Sequence, residues 1–248
     1  MRFVTQSAPR HLSSVILEFW LLEDDGKMSA GLPKPHVELV VSLSGLHWWR
    51  AAPGACEHRF RDAWITPLQQ APRYARSVGK RRLIGARLEP WAATLLFPNL
   101  PRGDGTPPVP LTRYFGRDVA ALRRRLRGAC TEAQLFDFFA EWLTARFPRP
   151  LRARNPLEEI ASPRTMRRHF TRQVGVSPKQ WQLLRRLDAV LRDPALGDRG
   201  RPLASLAYEH GFADQAHFGK EVMRLTGVTP GRLRARPTVY PPHLLRLS

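Results

Sequence analysis

Cysteine is scarce in this 248-residue chain, which contains only Cys56 and Cys130. The two lie far apart in the sequence, and neither belongs to a motif with a nearby partner. The sequence therefore predicts neither a disulfide framework nor a zinc cluster, as is typical of a reducing compartment. We interpret them as two buried structural thiols, which are commoner than a redox-sensing pair.

Long apolar runs are also missing. No stretch approaches the roughly 18 apolar residues of a membrane-spanning helix. The first residues do not follow the pattern of a signal peptide, which pairs a basic segment with an apolar one. We therefore expect a cytoplasmic protein with no membrane partner.

Motifs for enzymatic chemistry are absent as well: the sequence has no nucleophile elbow, P-loop or Rossmann glycine motif. His36 and Glu38 share one face of a predicted strand, so that this pair is suited to hold a metal ion. His47 and His58 extend the set, yet its spacing lacks the compactness of a metal-binding cupin. We predict no enzyme, no metal and no cofactor, with a metal-binding cupin-like protein as an alternative.

Acidic residues are few beside basic ones. The chain has 40 Lys and Arg against 21 Asp and Glu, a net charge of +19, and its pI is near 11.4. Residues 152–248 hold 18 basic and 8 acidic residues, a net +10, and the other 151 residues hold 22 and 13, a net +9. An excess of this size favours a polyanionic partner, and nucleic acid before a membrane.

Residues 14–90 have the pattern of short β-strands. In the stretch 37–43, Val37, Leu39 and Val41 alternate with residues of the opposite face. Further strand-like stretches, separated by Gly and Pro, are 14–22, 47–51, 59–65, 74–78 and 82–88. Several short strands at this spacing predict a barrel or a sandwich.

Residues 90–110 are rich in Pro and Gly and predict a loop. Two helical patterns follow, at 116–126 and 132–146. The second places four large apolar residues on one face, Leu135, Phe138, Phe139 and Trp142. We interpret this stripe as core or a dimer face rather than as the wall of a ligand site. The Pro- and Arg-rich stretch 147–156 predicts an interdomain linker.

The stretch 203–234 has the pattern of two short helices joined by a tight turn. Apolar residues three and four positions apart line one face of the first helix, and Gly211 ends it where a left-handed residue is needed. A second helix begins near Asp214 and directs three apolar side chains inward, Phe218, Val222 and Leu225. This is the plan of a helix-turn-helix, whose second helix can enter the DNA major groove.

The opposite face of that second helix centres on Ala216 and Lys220, flanked by Gln215, His217 and Arg224. A glutamine can form two hydrogen bonds with adenine, an alanine can pack on the thymine methyl, and a histidine can donate or accept at a base edge. These residues are therefore candidate DNA contacts. The alternative is that they are ordinary exposed polar residues.

Residues 162–191 predict a second such unit upstream. A helix turns Met166 and Phe170 inward and leaves a largely basic stripe outside, formed by Arg164, Thr165, Arg167, Arg168, Thr171 and Arg172. Arginine pairs with guanine through two hydrogen bonds and is an effective phosphate partner. Pro178 then begins a linker helix that fixes the separation of the two recognition helices at about one DNA turn, roughly 34 Å.

Both stretches resemble AraC/XylS-type bacterial transcription regulators. GFADQAHFGKEVMRLTGVTP (211–230) resembles the second helix-turn-helix of that family, and SPRTMRRHFTRQVGVSPKQWQLLRRLDAVL (162–191) resembles its first recognition helix and linker helix. The resemblance implies DNA contacts at Gln215, Ala216, His217 and Lys220 and a groove approach by Arg164, Arg167 and Arg168. Helical geometry adds Thr165 and Arg224. Only NPLEEIA (155–161) precedes Ser162, so that the first unit is several residues shorter than the family's pattern. We expect it to dock loosely or not at all, and the second unit to be the dependable one.

Residues 20–98 resemble an N-terminal domain found ahead of such modules, where the wider family usually has a cupin-like β-barrel. The predicted fold is therefore α+β: a β-rich sensing or dimerisation domain with two C-terminal helices (1–147), a linker (148–156) and an all-α DNA-binding domain (157–238). Four tryptophans are candidates for either an effector pocket or the core, Trp48, Trp49, Trp64 and Trp91.

The predicted function is sequence-specific transcription regulation, controlled by a ligand or partner at the N-terminal domain. The partners that this implies are double-stranded DNA and an unknown small-molecule effector, with RNA polymerase and a second copy of the chain as further candidates. The second alternative is a non-enzymatic interaction protein whose DNA-binding module has decayed.

Overall fold

The computed structural model describes residues 1–103, 106–148, 163–235 and 243–246. The strands are Arg2–Ser7 (β1), Ile16–Asp24 (β2), Ser29–Gly31 (β3), Val37–Arg50 (β4), His58–Phe60 (β5), Ala63–Thr66 (β6), Arg73–Leu88 (β7), Val109–Pro110 (β8) and Leu244–Arg246 (β9). The helices are Pro90–Leu96 (α1), Thr112–Phe115 (α2), Asp118–Arg127 (α3), Glu132–Thr144 (α4), Pro163–Val174 (α5), Pro178–Arg192 (α6), Leu203–Glu209 (α7), Gln215–Thr226 (α8) and Pro230–Ala235 (α9).

The strands form one antiparallel sheet in the order β1-β2-β7-β4-β6-β8, with β3 on β7, β5 on β4 and β9 on β3. Helices α1 to α4 follow the N-terminal strands in the chain, and α5 to α9 make up the C-terminal region. The α+β prediction, with a β-rich N-terminal part and helices behind it, is therefore confirmed.

Two strands are longer than the sequence predicted. The stretches 37–43 and 47–51 are parts of the single strand β4, and 74–78 and 82–88 are parts of β7. The glycines between them have positive φ, +91° at Gly45 and +78° at Gly79. Such residues permit a local irregularity without ending a strand, and the register of β4 on β7 shifts between Ser42 and Leu46.

The stretch 90–110 was predicted as a loop, and this is wrong in its first part. Pro90 occupies the first position of α1, where its missing N–H costs no hydrogen bond. The helix then buries Trp91, Ala92, Ala93 and Leu96. The prediction of a loop for the whole stretch came from its later part, since after Pro90 every proline and glycine lies in residues 98–110.

The sheet has two differently occupied faces. Along β2, Phe19 and Leu21 belong to the large core, whereas Trp20 and Leu22 belong to a smaller cluster on the other face, as strand alternation requires. The large core includes Leu135, Phe139 and Trp142 of α4, so that the interpretation of the stripe as core is confirmed for these three residues. Phe138, the fourth residue of the stripe, is only partly buried and packs against the core.

The linker helix α6 packs against the N-terminal domain. The indole N–H of Trp181 donates to the carbonyl oxygen of Pro35 at 3.0 Å, and its ring contacts Trp91 at 5.6 Å and Phe170 at 5.5 Å between centroids. Arg192, at the end of α6, donates to Glu18 of β2 at 2.8 Å. Helix α6 thus joins the sheet to the C-terminal helices.

The C-terminal strand β9 also joins the N-terminal sheet. It pairs antiparallel with β3, and His243 just before it lies 2.9 Å from Asp188 of α6. The predicted DNA-binding domain ended at residue 238, and the sequence analysis did not predict this strand. These three residues form a strand because β3 pairs with β7 on one side only, and β9 pairs with its free backbone groups on the other side.

Both cysteines, Cys56 and Cys130, are exposed free thiols, so that the interpretation of them as buried was wrong. Among the residues that the structure describes, no helix is long and apolar enough to cross a membrane.

Candidate nucleic-acid interface and effector cavity

Helices α7 and α8 form the predicted helix-turn-helix. Leu206 and Ala207 of α7 are fully buried, and Gly211 has φ +72° at the turn, the left-handed conformation that the sequence predicted. Phe212 packs on Phe218 with 5.0 Å between ring centroids. The inward set of α8, Phe218, Val222 and Leu225, is at most 3% exposed. The local prediction is therefore confirmed in its helices, its turn and its core.

The N-terminus of α8 is fixed by Asp214. Its carboxylate accepts a hydrogen bond from the backbone N–H of His217 at 2.7 Å, which satisfies one of the free donors of the first turn. The His217 ring packs on Phe212, and its Nδ1 accepts from the Ala213 N–H at 3.3 Å. This engages one ring nitrogen, so that a base contact by His217 would use Nε2.

The remaining candidate contacts of α8 lie on its outer face. Gln215, Ala216, Lys220 and Arg224 are exposed, and His217 is half-buried. Arg224 donates to Glu221 from Nε at 2.9 Å and from Nη2 at 2.8 Å. The structure thus brings the five residues together on one helix. Arg224 is already paired with Glu221, so that a DNA phosphate would have to compete with this carboxylate for it.

Helix α5 carries the candidate contacts of the first unit. Arg164, Thr165, Arg167 and Arg168 are exposed there, and Phe170 is fully buried on the opposite face. The predicted inward position of Met166 falls on a side chain outside the described set. The short segment 155–161 and most of the predicted linker also lie outside the described residues.

The N-terminal domain holds α5 in place. Arg102, in the loop after α1, donates through Nη1 to the carbonyl of Arg172 and through Nη2 to that of Gln173, the latter at 3.1 Å. A cation at these carbonyls complements the negative end of the helix dipole. The side chain of Arg102 also lies against Gly175, where an added Cβ would approach it to 2.8 Å. The sequence analysis missed Arg102 because its partners are about 70 residues away.

A cavity of about 150 Å³ lies on the face of the sheet that carries the smaller apolar cluster, and residues of β1 to β7 and of β9 line it. Its walls are aromatic: Phe3, Trp20, Trp48, Trp49, Phe60 and Trp64. Three of the four predicted pocket tryptophans therefore line it. The fourth, Trp91, packs on Trp181 of α6 instead, because it stands on α1 behind the sheet.

Charged side chains line the same cavity: Lys34, Arg73, Arg81, Arg87 and Glu38. Glu38 pairs with Lys34 and, at 3.2 Å, with Arg87. Burial disfavours the ionised form of Glu38, but Lys34, His36 and Arg87 more than offset this and hold its pKa well below the ordinary value. The sequence analysis did not single out these cations, although the alternation of β7 would place Arg81, Leu83 and Arg87 on one face.

His47 is fixed and neutral at the cavity wall. Its Nε2 lies 2.7 Å from the Ser42 hydroxyl and its Nδ1 lies 2.7 Å from the Ser77 hydroxyl. Burial lowers the pKa of His47 to about 4, and the positive charges of Arg81 and Arg123 act in the same direction.

The candidate metal ligands do not converge. His36 lies 3.7 Å from Glu38, whereas His47 is bound by the two hydroxyls and His58 is exposed on β5. In the described part of the chain, no group of three or more His, Cys, Asp or Glu side chains could hold a metal ion.

A family model described as a helix-turn-helix domain matches residues 160–236. The chain is 36% identical over 63 residues to the probable transcriptional regulator LumQ of Photobacterium leiognathi, a match that spans 25% of each protein. The chain thus covers about a quarter of the length of this curated relative.

Among solved structures, ToxT from Vibrio cholerae is 9% identical, with 95% of this chain and 98% of that one covered and a TM-score of 0.45. A cupin superfamily protein from Desulfitobacterium hafniense is 13% identical, with 35% of this chain and 77% of that one covered and a TM-score of 0.27.

Proposed function

We propose that this chain, which carries an AraC-type helix-turn-helix domain at residues 160–236, is a sequence-specific DNA-binding transcription regulator whose N-terminal domain binds a small-molecule effector. The observation that carries the proposal is α8. It is capped at Asp214, packed through its apolar face and exposed at Gln215, Ala216 and Lys220. A preformed helix with these side chains is suited to the major groove.

The two recognition helices would make different kinds of contact with DNA. On α8, Gln215 and Ala216 have the chemistry to read adenine and the thymine methyl, and Lys220 contributes charge. On α5, the exposed arginines Arg164, Arg167 and Arg168 suit guanine or phosphate. Phosphate contacts fix position and base contacts fix sequence, so that both kinds are needed for a specific operator.

The second candidate is a protein whose DNA-binding module has decayed. The net charge of +19 favours it, because this charge alone would let such a protein bind polyanions without sequence specificity. The intact packing and capping of α8 argue against decay, because an unused helix-turn-helix would not be expected to keep them. The function calls for no catalysis, and we expect the protein to be non-enzymatic. RNA polymerase and a second copy of the chain are its further expected partners.

The test is selection of bound fragments from genomic DNA by the full chain, followed by salt titration on the best site. One enriched motif is expected, lost in the Gln215→Ala/Lys220→Ala double variant. Lys80→Ala is the charge-matched control, since this exposed residue lies in the N-terminal domain and its loss removes the same single charge. Uniform, salt-sensitive binding without a motif, equal in all three proteins, would instead support the decayed module.

A two-part motif would report on the first unit. If α5 reads DNA, the two parts are expected about one helical turn apart, and Arg164→Ala should relax only the part that α5 contacts. A one-part motif unaffected by that variant would mean that α8 alone reads sequence.

A further inference from the structure

The two recognition helices are supported by different parts of the chain. Helix α8 packs on α7 and α9, which both belong to the C-terminal region, and its Phe218 contacts Phe212 of the preceding turn at 5.0 Å between ring centroids. Helix α5 contacts α6 and also α1 of the N-terminal domain. A recognition helix depends on the helix that it packs against for its orientation. The orientation of α5 therefore involves a helix of the N-terminal domain.

Three aromatic rings connect α5 to α1. Phe170, fully buried on the inner face of α5, lies 5.5 Å from the ring of Trp181 on α6, measured between centroids. The Trp181 ring in turn lies 5.6 Å from the ring of Trp91 on α1. Both contacts are edge-on, an arrangement that aromatic pairs prefer at such distances. The apolar core of the first unit is thus continuous with that of the N-terminal domain.

The end of α5 is held by a loop of the N-terminal domain. Arg102 donates from Nη1 to the carbonyl oxygen of Arg172 and from Nη2, at 3.1 Å, to that of Gln173. These carbonyls belong to the last turn of α5, where C=O groups have no partner within the helix. A guanidinium is suited to this place, because its donors form a rigid fork and its charge complements the negative end of the helix.

The same loop fits closely against the residues that follow α5. Gly175 has φ +91°, and a Cβ added to it would lie 2.8 Å from Cδ of Arg102. Residues 100–103 and 173–176 line a crevice of about 20 Å³ next to α1, which is little more than the room that one water molecule needs. Both valines of the second range are only 4% exposed. Contacts this close leave α5 little freedom to turn relative to the N-terminal domain.

We propose that Arg102 is a positioning residue for DNA recognition. The candidate DNA contacts Arg164, Arg167 and Arg168 lie in the first half of α5, and Arg102 holds the backbone at the other end. Arg102 thereby sets the direction in which α5 meets its part of the operator, and an α5 that is held in advance loses less entropy on binding. Helix α8 reads its own part without this contact. The inference deepens the proposed function and rests on it, since α5 must contact DNA.

The first test measures the affinity of the full chain for the operator that the native chain selects and for a version in which the part read by α5 is scrambled. Arg102→Ala should weaken binding to the intact operator about tenfold, the scale of one charge-assisted hydrogen bond, and should leave the affinity for the scrambled version unchanged. Arg102→Lys keeps a cation with several donors and should recover most of the loss. Equal losses on both DNAs, or no loss on the intact operator, would overturn the proposal.

The matched control is Arg113→Ala. It removes the same charge from an exposed arginine on α2 of the N-terminal domain, and it should change neither affinity. If Arg113→Ala weakens binding to the intact operator as much as Arg102→Ala does, the total charge of the chain accounts for the effect and Arg102 has no positioning role.

The second test excludes a direct contact of Arg102 with DNA phosphate. Amide hydrogen exchange is measured by mass spectrometry on the full chain without DNA. Arg102→Ala should speed exchange in the last two turns of α5 about tenfold and leave α8 unchanged, because it removes contacts that oppose local opening of α5 alone. Arg113→Ala should alter neither helix. Unchanged exchange in α5 combined with weaker operator binding would mean that Arg102 binds phosphate itself, and the positioning role would be refuted.

The positioning role and the regulator function can fail separately. A native chain that selects a one-part motif, unaffected by Arg164→Ala, keeps the regulator function and refutes the positioning role, because α5 then reads no sequence. A two-part motif that Arg102→Ala binds as tightly as the native chain does has the same meaning. If the native chain selects no motif at all, the regulator function itself fails, and the recognition role of Arg102 fails with it.

Discussion

Trp181→Phe tests whether α6 and the N-terminal domain fold as one unit. The native side chain is 3% exposed, donates a hydrogen bond to the buried Pro35 carbonyl, and contacts the rings of Trp91 and Phe170. The replacement keeps an aromatic ring of smaller size but removes the N–H. It therefore leaves a buried acceptor unsatisfied and a small void at the interface.

The magnitude follows from these two losses. An unsatisfied buried partner costs about 1–3 kcal/mol, and the lost ring area and void add about 1 kcal/mol. We expect the free energy of unfolding to fall by about 2–4 kcal/mol, which is a large fraction of the 5–15 kcal/mol typical of a domain. The assay is urea unfolding followed by far-UV circular dichroism and by tryptophan fluorescence.

The control is Tyr208→Phe, which changes a side chain that is 82% exposed and should alter stability by less than about 0.5 kcal/mol. In the native chain the two signals should change together, since α6 is packed on both parts of the molecule. Two separate transitions, with Trp181→Phe shifting only the one that belongs to the C-terminal helices, would refute the reasoning.

Five further substitutions, at four positions, test single features of the structure. Because the pKa of His47 falls from 6.5 to about 4, its contribution to stability is present above pH 6.5 and is lost as the pH falls toward 4. His47→Gln should therefore flatten the dependence of the urea midpoint on pH between pH 6.5 and 4. An unchanged slope would contradict the lowered pKa of His47. Asp214→Ala removes the cap of α8 and should cost about 1 kcal/mol, together with operator affinity, whereas Asp214→Asn should restore both. Gly85→Ala would place a Cβ 2.2 Å from the Trp20 ring and should lower the free energy of unfolding by about 1–3 kcal/mol. Its control, Gly219→Ala, adds a Cβ that meets no atom within 4 Å and should stabilise α8 by up to about 1 kcal/mol. If Gly85→Ala leaves the stability unchanged, the Trp20 ring can move away.

The helix-turn-helix could be predicted because its determinants are local. Gly211 ends one helix, Asp214 caps the next, and the apolar residues of α8 recur within four positions. Capping and helical periodicity act between residues close in sequence, so that a single sequence displays them. The same holds for the capping box of Ser177 and Gln180 that begins α6.

The cavity could be predicted only in part, because its residues come from strands far apart in the chain. The tryptophans of β4 and β6 were visible as aromatic residues in strand-like stretches, but the sequence does not show which face of the sheet they line, nor that Trp91 contacts α6 instead. Arg87 in β7 looks like an ordinary basic residue in the sequence, and only the pairing of β7 with β4 places it beside Glu38. Arg73 is likewise brought to the cavity only by the pairing of β7 with β3, where it lies opposite Gly31. Strand pairing is a long-range property, and so is the attachment of β9 to β3.

The position of Arg87 links the cavity to the DNA-binding helices. Arg87 lines the cavity and pairs with Glu18, and Glu18 in turn accepts a hydrogen bond from Arg192 of α6 at 2.8 Å. Because α6 separates α5 from α7 and α8, an effector that changed the pairing of Arg87 would act on the helix that sets their spacing. Such an effector can shift DNA affinity only by the difference in its own affinity for the two arrangements, and DNA must change the effector's affinity by the same factor. That reciprocity makes the effect measurable from either side: operator DNA added to the protein should change the dissociation constant of the effector by the same ratio by which the effector changes the dissociation constant of DNA.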